Sequence, residues 1–232
     1  MNQVQSAQSA LNGLRVIDMT HNQAGPACAQ MLGFLGADVI KLEEPRGGDI
    51  ARAQNGDELF YLQFNANKRG LTLNLKAEEG KAHFRKIITQ SDVLIENFRP
   101  GAMEGWGLGP DDLQALNPKL IVLRISGYGQ TGPYRDRPGF GVVAEAMSGL
   151  RHLTAEPGRV PVRVGISLGD TLASLHGVIG ILMALQERHR SGQGQVVDAA
   201  MVDGSASLMT LMYGMRAGGL WQDHNGERQD PG

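Results

Sequence analysis

The sequence predicts an α/β fold, a largely parallel β-sheet with flanking helices, followed by a long helical segment. Short β-rich runs alternate with helical stretches along the first 130 residues, and no hairpin turn signals separate the runs; that pattern means βαβ crossovers rather than a meander. At 232 residues and 41% hydrophobic composition, the chain can bury a substantial core in one large domain or two small ones.

The elements follow in order. GLRVIDMT (13–20) is β-rich. HNQAGPACAQMLGFLGA turns helical, with Pro26 near a first helical position and Gly36 as the stop. ADVIKLE (37–43) reads as a strand, and GLTLNL (70–75) alternates apolar and polar as a half-buried strand does. AEEGKAHFRKIITQ (77–90) is an amphipathic helix, SDVLIENF (91–98) a strand, PDDLQALNP (110–118) a short helix. KLIVLRISGYG (119–129) is a strongly apolar strand ending in glycines. Beyond 140 the pattern becomes helical: GVVAEAMSGL, then DTLASLHGVIGILMALQERHR, then QVVDAAMVDGSASLMTLMYGMRA. The last stretch, AGGLWQDHNGERQDPG, is polar and glycine-rich and reads as the start of a connection.

Composition excludes several functions. With 22 Lys+Arg against 24 Asp+Glu and a net charge of −2, the chain lacks the basic excess of a general nucleic-acid binder. The 32 glycines follow no collagen period, so they imply tight turns or close approaches of backbone to a ligand. A single cysteine, Cys28, excludes an internal disulfide and any CxxC site. The N-terminus has neither a basic start nor an apolar stretch, so no signal peptide is expected. The longest apolar run, Val178 to Leu185, falls short of the roughly 20 residues that span a bilayer. A cytoplasmic chain with no membrane or nucleic-acid partner is the expectation.

In open α/β sheets, ligands bind beyond the carboxyl ends of the strands. Three such ends are rich in polar groups: THNQAGP (20–26), ENFRPGAM (96–103) and SGYGQTGPYRDRPG (126–139). The first fits a helix cap or an anion-binding helix N-terminus; it is not a GxGxxG fingerprint. NFRPG fits an ordinary turn as well as a ligand loop, and NKRG (67–70) reads as a solvated turn, since basic side chains are mostly exposed. His152 and His176 lack partners at metal spacing, so no metal is expected. The sharpest feature is GISLGDTLASLHG, where Asp170 follows a glycine and precedes a long apolar helix. It reads as an N-cap, kept ionised by the helix dipole. An ionised, accessible carboxylate is also a nucleophile toward an activated acyl group. No GxSxG elbow or P-loop competes.

At these same residues the sequence resembles the family III CoA transferases, the CaiB/BaiF group that includes formyl-CoA transferase. LNGLRVIDMTHNQAGPACAQMLGFLGADVIKLEEPRGGD carries the densest match. NANKRGLTLNLK, DVLIENFRPGAM, ISGYGQTGP and GDTLASLHGVIGILMALQERHRSGQGQVVDAAM continue it in family order over about residues 11 to 215. The resemblance implies a CoA transferase that works through aspartyl anhydride and enzyme–CoA thioester intermediates, with Asp170 as nucleophile and Gln23 stabilising the oxyanion. It implies that His21, Asn22, Gln23 and Ala24 line the thioester end, and that Leu73 and Lys76 flank the adenine and its phosphates. Asn97, Phe98, Ala102 and Tyr128 would hold the pantetheine and nucleotide, with Met201 touching the site. Glu44 stands where formyl-CoA transferase has an arginine, with Arg46 two residues on as its substitute, and Gly105 replaces a second arginine.

The implied substrates are an acyl-CoA and a small carboxylic acid, with no permanently bound cofactor. The implied architecture is a polar lead (1–10), a Rossmann-like large domain (11–215) and the start of a connection to a small domain (216–232), in an interlocked homodimer. The α-methylacyl-CoA racemases share the QVVDAAMVDG region, and MRAGGLWQDHNGER is similar to theirs. Their histidine follows a glycine after the GxGQxGP loop; here that pair is Gly139-Phe140, which cannot accept a proton. A CoA-binding chain without catalysis is the third reading.

Overall fold

A computed structural model describes residues 9–52, 58–156 and 158–219. The N-terminal lead to residue 8 and the connection from 220 onward lie outside these described residues. Among the described residues six strands form one sheet: β1 (Arg15–Asp18), β2 (Asp38–Glu43), β3 (Arg69–Thr72), β4 (Val93–Glu96), β5 (Ile121–Ser126) and β6 (Val196–Ala200). All pairings are parallel, in the order β3-β2-β1-β4-β5-β6. The order reverses between β1 and β4, so the chain leaves these neighbouring strands in opposite directions and opens a crevice beyond their carboxyl ends.

Period-2 alternation sorts the central strands into two cores. Val16, Ile95 and Leu123 face α1 (Ala24–Phe34) and α7 (Leu168–Ser191), together with Cys28, Leu32 and Ile181. Ile17, Leu94 and Val122 face α3 (Glu78–Ile88), α4 (Ala102–Gly105) and α5 (Pro110–Leu116), together with Phe84, Ile88 and Leu113. Phe84 and Ile88 lie one turn apart on α3, its buried face as the amphipathic pattern requires. Burial pushes the Cys28 thiol up, so it is inert core.

Helix α7 is long and apolar enough, by length and composition alone, to cross a membrane, a longer stretch than its eight-residue apolar run suggests. Core helices pass the same test, and α7 buries Ala173, Gly177, Ile181, Ala184 and Leu185. A Cβ at Gly177 would come within 2.8 Å of the Leu123 side chain, so glycine there lets the helix lie close on the sheet.

Two expectations are corrected. The segment 195–217, read as helical throughout, contributes β6 before α8 (Met201–Ser207) and α9 (Thr210–Ala217). A short run of valines and alanines has no period that separates strand from helix. What decides it is tertiary: Gly192, with φ of 73°, turns the chain back so that Val196 to Ala200 pair with Val122 to Ser126. The strand expected over 70–75 pairs only from Arg69 to Thr72, although Leu71, Leu73 and Leu75 do alternate onto the core that contains Ile17, Leu94 and Val122. α2 (Leu59–Asn65) and the 3-10 turn Leu150–Thr154 carry no signal that the sequence reading caught.

Candidate active site

The crevice between β1 and β4 holds a cavity of about 330 Å³. Its walls come from the loops after β1, β4 and β5, from the first turn of α7 and from Met201 at the start of α8. A side cavity of about 90 Å³ lies beyond it, lined by Leu42, Glu44, Leu73, Lys76 and Trp106. His21 and Phe98 line both spaces. Their rings meet edge to face at 5.7 Å, and Phe98 meets Trp106 the same way at 5.1 Å.

The loop after β1 is held by its neighbours. The His21 N–H donates to Asn97 Oδ1, and Asn97 Nδ2 donates back to the His21 carbonyl, each at 2.9 Å. Asn97 thus spends its amide joining the β1 and β4 loops. Asn22 adopts φ of 70°, a left-handed conformation that asparagine tolerates better than most residues. Its N–H donates to Asp49 Oδ1 at 2.9 Å. Glu96 Oε2 accepts the Phe98 N–H at 2.7 Å, setting that ring in place.

Beneath this loop lies a buried ionic cluster. Lys41 Nζ donates to Asp49 Oδ2 at 2.9 Å and to the Thr20 carbonyl, and sits 3.7 Å from Asp18 Oδ2. Lys68 Nζ donates to Asp18 Oδ2 at 2.7 Å, to Asn65 Oδ1 at 2.7 Å and to the Pro26 carbonyl at 2.9 Å. Lys68, read from the NKRG turn as solvated, is therefore corrected: its side chain is 2% exposed. An ammonium is buried only with such partners, and these are long-range contacts that no local pattern announces. Burial alone would raise Asp18, but Lys41 and Lys68 reverse this and hold it below its ordinary value. Burial likewise opposes Asp49, and His21, Lys41 and the N–H groups of Ala51 and Asn22 hold it well below the carboxylate range.

Asp170 stands where α7 meets the cavity. The helix starts at Leu168 with Ser167 as N-cap, so Asp170 is the third helical residue rather than the expected cap. Two close approaches make this possible. A Cβ at Gly169 would fall within 2.7 Å of the Gly141 carbonyl, and one at Gly141 would collide with Asp170 Oδ2. The Ser174 hydroxyl lies 2.6 Å from the Ala24 carbonyl and 2.8 Å from that of Asp170, joining α7 to α1. The dipole does not dominate the ionisation of Asp170. Burial first, then the negative charge of Glu145, push its carboxyl up to about 6, with Arg163 opposing. It is still mostly ionised at neutral pH, and more basic than a free carboxylate, which favours attack on an acyl carbon.

The structure brings Asp170, His21, Asn22, Ala24, Asn97, Phe98 and Met201 to the main cavity, and Leu73 and Lys76 to the side cavity. Gln23, Arg46, Ala102 and Tyr128 line neither. Gln23 precedes α1 and its carbonyl accepts the Ala27 N–H at 2.9 Å. Arg46 is exposed and Ala102 half-buried, and the Tyr128 ring packs edge-on to Tyr134 at 5.7 Å. Arg99, from the strand end 96–103, lines the cavity too, as do Arg135 and Arg137 from the loop 126–139, which the sequence marks as a candidate loop without naming these two residues. Among the described residues no cluster of three His, Cys, Asp or Glu side chains is placed to hold a metal.

Gly141→Ala should displace the Asp170 carboxylate and cost about 10²-fold in any reaction at that atom, as a misplacement of about 1 Å does. Unchanged turnover in a folded variant, checked by circular dichroism, would show that the carboxylate position is immaterial.

Comparison with known proteins is consistent across sequence and structure. The succinyl-CoA–D-citramalate CoA-transferase of Chloroflexus aurantiacus is 46% identical over 207 residues, covering 87% of this chain and 52% of that protein. The beta subunit of the succinyl-CoA–L-malate CoA-transferase of the same organism is 50% identical over 199 residues, covering 83% and 49%. The formyl-CoA:oxalate CoA-transferase of Streptomyces avermitilis is 44% identical over 197 residues, covering 83% and 48%. The chain thus spans about half the length of the curated relatives it matches. A crystal structure of a CaiB/BaiF family protein from Brucella suis superposes with a TM-score of 0.87 at 36% identity, over 91% of this chain and 58% of that one. With residues 11–232 matched by the family model as well, the chain belongs to CoA-transferase family III.

Proposed function

We propose that the protein transfers CoA from an acyl-CoA thioester to a free carboxylic acid, with Asp170 as the covalent nucleophile. The observation that carries this reading is the placement of Asp170, a carboxylate of raised basicity in a cavity shared with the loops after β1 and β4.

In the proposed reaction an Asp170 oxygen attacks the donor carbonyl, the C–S bond breaks, and CoA leaves as thiolate while the acyl group stays on Asp170 as a mixed anhydride. The thiolate then attacks the aspartyl carbonyl, releasing the donor acid and leaving an Asp170–CoA thioester. An acceptor carboxylate attacks that thioester to give a second anhydride, again releasing thiolate. Thiolate attack on the acceptor acyl carbon yields the new acyl-CoA and restores Asp170. No electrons or protons are gained or lost. Covalent catalysis suits the problem, because it divides one difficult displacement into activated acyl steps.

The side cavity, with Leu73 and Lys76, is proposed to take the nucleotide end of CoA, and backbone N–H groups at the start of α1 to face the developing oxyanion. For the acceptor we propose a short dicarboxylic acid. The relatives act, by their names, on succinyl-CoA with malate or citramalate, or on oxalate, and Arg135 and Arg137 in the cavity wall would suit a second carboxylate. Residues 11–215 would form the CoA-binding large domain of a cytoplasmic, interlocked homodimer.

The test incubates the whole protein in heavy water with a panel of acyl-CoA donors and carboxylic acids, followed by mass spectrometry. A new acyl-CoA without deuterium is the expected result. Deuterium at the α-carbon without a new thioester would make the protein a racemase, despite Phe140 in the cavity wall. Neither signal, with CoA still bound, would favour a non-catalytic CoA-binding protein.

A further inference from the structure

Beside the first turn of α7 lies a second carboxylate that the proposed reaction does not use. Glu145 on α6 (Gly141–Met147) is 2% exposed. Its Oε1 accepts from Arg163 Nη2 at 3.1 Å and its Oε2 from Arg163 Nε at 3.2 Å, a two-pronged ion pair. Oε1 also lies 3.4 Å from the N–H of Gly169, the residue before Asp170. Arg163 Nη2 reaches the Ser167 hydroxyl at 3.3 Å as well, so the pair spans the N-cap and the second residue of α7.

We infer that Glu145 and Arg163 are positioning residues for Asp170: their ion pair fixes the first turn of α7, and with it the place from which the Asp170 carboxylate attacks. The inference rests on the reading of Asp170 as nucleophile. A surface pair between exposed side chains contributes little, but Glu145 is fully enclosed, and removing its cation leaves a buried charge uncompensated next to the reacting group. The other charged or titratable groups facing the cavity are His21 from the β1 loop, Arg99 from the β4 loop, and Arg135 and Arg137 from the β5 loop. The three arginines are exposed to solvent, where screening weakens their effect. Arg163 is itself 39% exposed, but its two-pronged pair ties it to the enclosed Glu145, and the two act in opposite directions on Asp170.

Opposition gives a signature that a merely structural role would not produce. Arg163→Gln should raise the ionisation midpoint of Asp170 by about one unit, because Glu145 then acts unopposed. Glu145→Gln should lower it by about one unit, and the double variant should return close to the parent. The midpoint is read on the whole protein by NMR of ¹³Cγ-labelled aspartate, with the Asp170 signal assigned by its loss in Asp170→Asn. The acid limb of the kcat/KM profile should move with it: Arg163→Gln loses about fivefold at pH 6 and almost nothing at pH 8.

Shifts in the same direction, or no shift in either single variant, would overturn the inference. Arg163→Lys keeps the charge but not the fork. It should hold the midpoint near the parent value, which keeps the test available if Arg163→Gln does not fold. Turnover that survives in Asp170→Asn, alongside opposite midpoint shifts, would instead fault the nucleophile reading and leave the charge balance standing.

Discussion

Replacing Asp170 by asparagine is expected to lower CoA transfer by on the order of 10⁴-fold or more while leaving CoA affinity nearly unchanged. The amide keeps the shape of the side chain and the packing of Gly141 and Gly169 around it, but it has no anionic oxygen with which to form an anhydride. Asp170→Ala should be equally inactive. Undiminished turnover in either variant would remove the covalent mechanism.

Stability should move the other way. A carboxyl raised in the folded state to about 6, from a reference of 3.8, binds its proton more tightly folded than unfolded. Its contribution is therefore complete below the unfolded value and is lost as pH rises through the folded one. Asn, which resembles the protonated acid, escapes that loss. Asp170→Asn should accordingly gain stability at pH 8, by at most about 3 kcal/mol, and show no gain below about pH 4. A denaturant titration at both pH values would check it. An equal change at both would mean that capping or packing, not ionisation, dominates.

Lys41→Met should be the most damaging single change to the fold, by about 3–5 kcal/mol in denaturant midpoint analysis. Lys41 is 1% exposed, and its removal leaves Asp49 and Asp18 fully buried with one cation, Lys68, reaching only Asp18. The loss should extend to the site, because Asp49 holds the Asn22 N–H and Lys41 holds the Thr20 carbonyl. The pH dependence follows from the same groups. Asp18 and Asp49 are both depressed, so the stability they contribute is present above their unfolded values near 4 and is lost as pH falls through the folded ones. The parent should unfold cooperatively in acid. A Lys41→Met variant as stable as the parent at neutral pH would show that the cluster is not what holds the loop after β1.

Much of the fold was legible because its signals are local. Pro26 and Gly36 bracket α1, Phe84 and Ile88 repeat at helical spacing on α3, and apolar runs flank the βαβ crossovers. The cavity was legible through the loops that sheet topology must place at the carboxyl ends, with Asp170 in the first turn of α7. The sixth strand was not, because Val196 to Ala200 become a strand only by lying beside β5. Glu145, Arg163 and Lys68 were missed for a related reason. Each looks like an ordinary surface charge until its partner, 18 to 50 residues away in sequence, is packed against it.

The α/β class, the parallel crossovers, the family and the place of an aspartate at the head of a long helix are written in the sequence, since these depend on periodicity, punctuation and motif order within a few residues. That Asp170 is the third residue of its helix, that its basicity is raised, and that a buried ionic cluster holds the facing loop all come from packing. Burial and charge pairing are properties of the space between elements, and no single element contains them.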